Sequence, residues 1–79
     1  MSDLAEAVSC LERGGWEAAH RIVQQLDSGP ACWAHGIVHL MEGDEGNAAY
    51  WYRRAGRTLP KAGAQRIERE IAALRERIG

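Results

Sequence analysis

Apolar residues recur along this chain every three or four positions, in five stretches separated by glycine and proline breaks. The breaks fall at Gly14-Gly15, at Asp27-Ser28-Gly29-Pro30, at Gly43-Asp44 and around Gly56 to Pro60. In the second stretch Ala18, Ala19, Ile22, Val23 and Leu26 form a stripe at helical spacing. In the last, Ile67, Ile71, Leu74 and Ile78 form a narrower, heptad-like stripe. The pattern predicts helices from just after Asp3 to about Arg13, from Trp16 to Leu26, from Ala31 to Glu42, from Glu45 to Ala55 and from Ala62 to Ile78. Local signals agree. Asp3 with Glu6 three residues on can make a capping box, and Gly14 can supply a left-handed stop. Pro30 suits a first helical turn, and Asp44 can cap the fourth helix. Few residues are β-branched, Phe is absent, and Ala, Leu, Glu and Arg are frequent, which favours helix throughout. The expected fold is all-α.

The chain also repeats itself. One constant shift pairs Val8 with Val38, Leu11 with Met41, Glu12 with Glu42, Ala18 with Ala48 and Ala19 with Ala49. A period in that range is a signature of stacked helical hairpins. The run Glu45-Gly46-Asn47-Ala48-Ala49-Tyr50-Trp51-Tyr52-Arg53-Arg54-Ala55 resembles the second helix of a tetratricopeptide-type repeat. The period is shorter than that family's, and the first helix of each unit lacks its full small/large pattern. The resemblance implies two tetratricopeptide-like hairpins, over about 3–29 and 31–59, closed by a capping helix over about 62–78, within a single domain. The run from Trp33 through His35, His39, Glu42-Gly43-Asp44 and Asn47 to Tyr50-Trp51-Tyr52-Arg53-Arg54-Ala55-Gly56 also resembles a set of small uncharacterised bacterial proteins, which implies no particular activity.

Chemistry concentrates on the third helix. On a helical wheel Trp33, Ala34, Ile37, Val38, Leu40 and Met41 share one apolar arc, while Cys32, His35, Gly36, His39 and Glu42 share the other. Side chains three or four apart on a helix are neighbours. His35 and His39 can therefore grip one ion, Glu42 can add a third ligand, and His20 or Cys32 a further one. The HExxH glutamate is missing, because position 36 is glycine, so metalloprotease chemistry is unsupported. Three readings stand side by side: a solvated polar face, a metal site, and a binding or proton-transfer surface without metal. The first is the commonest fate of such an arc. Against it, the arc carries histidine where solubilising helices carry Lys and Glu. Gly36 also costs its helix about 1 kcal/mol relative to Ala, which suggests that something approaches the backbone there.

On the fourth helix Ala48, Trp51, Tyr52 and Ala55 share the expected core side. Tyr50 and Arg54, four apart, can stack or bind an anion or an acidic partner group. Arg53, Arg54 and Arg57 form a local basic patch, but at a helix C-terminus cations are favoured anyway. The formal net charge is −1, which argues against a general nucleic-acid or anionic-membrane binder. The last helix mixes Arg66, Arg69, Arg75 and Arg77 with Glu68, Glu70 and Glu76, a solvated face whose apolar stripe either caps the repeats or pairs with a second copy. With 79 residues the core is modest, and such domains often gain stability from a metal or from oligomerisation. No stretch approaches the ~18 apolar residues that span a bilayer, the start lacks a signal-peptide pattern, and Cys10 and Cys32 form no CxxC pair, so a cytoplasmic protein is expected. Cys32 lies one helical turn from His35, but neither a nucleophile elbow nor a phosphate-binding glycine loop is present.

The sequence thus leads first to a non-enzymatic interaction module that binds a peptide or protein through His35, His39, Tyr50 and Arg54. The alternative is a metal-binding protein holding zinc, nickel or iron on His35, His39, Glu42 and His20. A small metal-dependent hydrolase is a distant third.

Overall fold

In the computed structural model, which describes residues 2–79, all five helices form, each within a few residues of its expected ends. Helix α1 (Asp3–Glu12) is capped by Ser2, whose hydroxyl accepts from the Ala5 amide at 3.1 Å. Asp3, expected as the cap, is instead the first helical residue; the Ser2 backbone is extended, as a cap requires, and its side chain reaches the free amide. Helix α2 (Trp16–Val23) stops short of Leu26. There Gln25 and Leu26 donate back only three residues, to Ile22 and Val23, in the tightened turn typical of a helix end. Helix α3 (Gly29–Glu42) begins ahead of Ala31, because the Ser28 hydroxyl accepts from the Ala31 amide at 3.2 Å and Pro30 falls in the first turn. Helix α4 (Glu45–Arg54) is capped by Asp44 as expected. Helix α5 (Arg66–Ile78) starts one turn after Ala62. Gln65 just before it adopts a left-handed backbone (φ 64°), and the Arg66 guanidinium is held by the Pro60 carbonyl at 3.1 Å and by the Glu45 carboxylate at 2.9 and 3.0 Å. That anchorage fixes the start of α5 at Arg66.

α1 and α2 pack as one hairpin, α3 and α4 as another, and α5 lies on α1 and α3. The structure matches Gly14 with Gly43, so the register between the hairpins is shorter by a single position than the sequence pairing suggests. Both glycines take the left-handed backbone, with φ of 80° and 88°. Each closes the same double hydrogen bond: Gly15 to Cys10 at 2.8 Å with Gly14 to Leu11 at 3.0 Å, and Asp44 to His39 at 2.8 Å with Gly43 to Leu40 at 3.2 Å. This is the Schellman arrangement, which satisfies the last helical carbonyls at a point where only glycine avoids strain. In this register Ala19 matches Ala48 and Val23 matches Tyr52, and all four are buried.

α3 is the centre of the structure and packs on every other helix. Each residue from Ala31 to Leu40 is buried. α5 contributes Ile71 and Leu74 to the core, and Ile67 and Ile78, half-buried, pack beside them. Arg75 ties α5 to α1 through a two-pronged contact with Glu12, both bonds 3.0 Å, and a bond to Ser9. Between α3 and α4 the approach is tight at Gly36, where an added Cβ would stand 2.5 and 2.7 Å from ring carbons of Tyr52. The object that approaches the backbone is therefore an aromatic ring of the protein itself. Its hydroxyl donates to Glu70 Oε1 at 2.6 Å, and Trp33 Nε1 donates to the same oxygen at 3.0 Å, locking α3, α4 and α5 together.

Gly36→Ala tests this contact. Alanine favours helix by about 1 kcal/mol, but overpacking costs roughly 1–3 kcal/mol, and a ring tethered through its hydroxyl cannot swing aside. A net loss of up to roughly 2 kcal/mol is expected in urea denaturation. Gly46→Ala, in α4 with open space around it, should instead stabilise by up to about 1 kcal/mol. Equal effects at the two positions would contradict the close approach.

Candidate metal centre

His35 and His39 stand one turn apart on α3, and α2 crosses that turn with His20 facing them. α2 packs on α3 as well as on α1, and His20 is the residue whose ring meets those of α3. The three rings converge. Centroids lie 4.9 Å apart for His20 and His35, 5.4 Å for His20 and His39, and 5.1 Å for His35 and His39. One nitrogen from each of the three rings lies within 4.8 Å of the others. Tetrahedral zinc, with Zn–N near 2.0–2.1 Å, spaces its nitrogens by about 3.3–3.4 Å. Side-chain rotations on the order of an ångström close that difference.

The surroundings treat the rings differently. His39 Nδ1 lies 2.6 Å from Glu42 Oε1, one turn further along α3. A carboxylate only accepts, so in the neutral ring that contact places the proton on Nδ1 and leaves the lone pair on Nε2. His35 lies flat against Trp51 of α4, with centroids 3.7 Å apart and planes 8° apart. Its Nδ1 is buried without a hydrogen-bond partner, the one such side-chain atom among the described residues. Leaving a buried polar atom unsatisfied costs roughly 1–3 kcal/mol, so a group in this position calls for an explanation.

The expected site residues therefore separate. His20, His35 and His39 come together. Glu42 touches His39 but stays on the outer side of that ring, where Asp44 joins it in a second, more exposed group. Cys32 faces away, its thiol 3.9 Å from the Asp27 carbonyl, and both cysteines are free and buried. Tyr50 and Arg54 lie on the exposed side of α4, with the Arg54 guanidinium 6.0 Å from the Tyr50 ring and 5.0 Å from the Trp51 ring. The solvated polar arc expected on α3 is overturned. His35 is 4% exposed and His39 7%, because α2 and α4 cover the face that the wheel left open. For the same reason little of either ring reaches the surface. Trp51, expected in the core, forms a wall of the site, and nothing in its own helical pattern distinguishes that role.

No helix among the described residues is long and apolar enough to cross a membrane. The chain matches no protein-family model, no curated protein and no solved structure. The geometry therefore carries the functional argument alone.

Burial pushes the His35 ring down from the ordinary 6.5 to about 4, helped by the positive charge that His20, His39 and Arg54 can carry. The unfolded chain takes up this proton near 6.5 and the folded chain only near 4, so between those values the unfolded state binds more protons. The metal-free protein should be most stable above pH 6.5 and lose stability as the pH falls toward 4. His35→Gln should flatten that loss in urea denaturation series. An unchanged slope would show that His35 is not held neutral.

Proposed function

We propose that this chain is a small helical metal-binding protein whose ligands are His20, His35 and His39. The observation that carries the reading is the convergence of three imidazoles from two helices, one of which has a buried nitrogen with no partner. Imidazole suits zinc, copper, nickel and iron, whereas magnesium and calcium want oxygen donors. An ion here would satisfy His35, relieve the crowding of three ionisable rings and staple α2 to α3. Trp51 orients His35 by stacking, and Glu42 orients His39. Buried imidazoles with a fixed tautomer are the usual equipment of such centres.

A second reading keeps the tetratricopeptide-like idea. The paired hairpins and their matching Schellman turns support it. So does Tyr50, 45% exposed and the one large exposed hydrophobic side chain among the described residues, with Arg54 beside it. In that reading a peptide or protein docks on Tyr50 and Arg54, without His35 or His39.

Metal content decides the first reading. Untagged protein should retain about one equivalent of zinc, nickel or copper after dialysis, and its Tm should rise with added metal as binding stabilises the folded state. His35→Ala combined with His39→Ala should abolish both effects, and His20→Ala should weaken them. Absence of retained metal together with an unmoved Tm would overturn the proposal. Capture of a partner that disappears with Tyr50→Ala and Arg54→Ala while metal binding persists would support the second reading.

A further inference from the structure

We infer that the metal held by His20, His35 and His39 keeps one coordination position open to a water, a hydroxide or a small exogenous anion. This rests on the metal reading above and goes further by assigning Glu42 to the outer shell. A four-coordinate ion needs a fourth donor. Among the described residues no other His, Cys, Asp or Glu joins the three histidines in their group. Cys32 is turned to the Asp27 carbonyl. Glu42, the donor that helical spacing puts forward, is engaged with His39 Nδ1 at 2.6 Å. The two nitrogens of an imidazole point away from one another across the ring. A carboxylate bonded to Nδ1 therefore lies on the far side from an ion at Nε2, and it cannot hold the ring and ligate that ion together. Glu42 instead completes a carboxylate–histidine–metal relay, which fixes the ring orientation and raises its donor strength.

Around the three rings, His20 and Trp51 are half-buried and Arg54 is exposed, whereas His35 and His39 are buried. Charge favours an anion. A divalent ion with three neutral imidazoles and one outer carboxylate carries a net positive charge. Arg54, stacked over Trp51 and paired with no carboxylate among the described residues, adds to it. Three histidines and an open position are the pattern of zinc sites that bind and activate small molecules, as opposed to closed four-ligand structural sites.

Cobalt(II) reads out both claims, because its visible absorption reports the number and type of its ligands. The full chain loaded with cobalt(II) should show bands that shift saturably on titration with azide. Glu42→Gln should keep the wild-type band shape and the azide response while binding cobalt(II) about 10–100-fold more weakly, as loss of an outer-shell partner does. Bands indifferent to azide would show a filled fourth position and overturn the inference. So would a Glu42→Gln protein with an altered band shape, since Glu42 would then be a ligand. In either case the three-histidine reading would stand. Failure of the wild-type chain to take up cobalt(II) would remove that reading and this inference together.

Discussion

Helix α3 is buried along its whole middle, from Ala31 to Leu40, and a helix in that position has no solvated face on which to place polar side chains. The other features of the molecule follow from how its neighbours reach it. Gly36 removes a side chain so that the Tyr52 ring can lie against the α3 backbone, which brings α4 close enough for Trp51 to stack on His35. α2 also packs on α3 and brings His20 against the same two rings. Two neighbouring helices thus close over a face that carries histidine.

Burial also forces an account of each polar group. Trp33 and Tyr52 donate to one oxygen of Glu70, and Arg57 lies over the Trp33 ring at 3.5 Å. That set is complete and structural. The Tyr52 hydroxyl is held protonated well above its ordinary range, first by burial and then by its bond to Glu70. His39 is satisfied by Glu42. His35 is the exception, and the exception sits where two other imidazoles converge. A protein of this size has little stability in reserve, so three ionisable rings packed together with one nitrogen unsatisfied is a costly arrangement unless something binds there.

Much of this is legible in the residues, and the gaps have physical causes. Helical periodicity locates all five helices because each has a stripe and a stop, and Gly14 and Gly43 mark the two hairpin turns directly. The ends of α2 and α5 are not legible. They depend on a tightened turn and on the Arg66 contacts with Pro60 and Glu45, which no local pattern encodes. The repeat register reads one position too long because α2 and α4 each carry an alanine pair, so the shift aligns Ala18 with Ala48. The paired Schellman turns fix Ala19 as its true counterpart. The wheel of α3 separates histidine from the apolar arc correctly. It cannot show that His35 and His39 are buried as well, because a wheel describes one helix and burial belongs to its neighbours. His20 stands out only as a residue type, and Trp51 and Glu70 give no signal, since their roles come from packing between helices.

The central claim is that His20, His35 and His39 act as one ligand set. It is tested most directly by imidazole-resolved nitrogen NMR during titration of the untagged protein with zinc. The account predicts that signals from all three rings change together and are complete near one equivalent, with the His39 Nδ1 proton retained on its bond to Glu42. Zinc that perturbs His20 alone, or that leaves the buried His35 and His39 rings untouched, would contradict it.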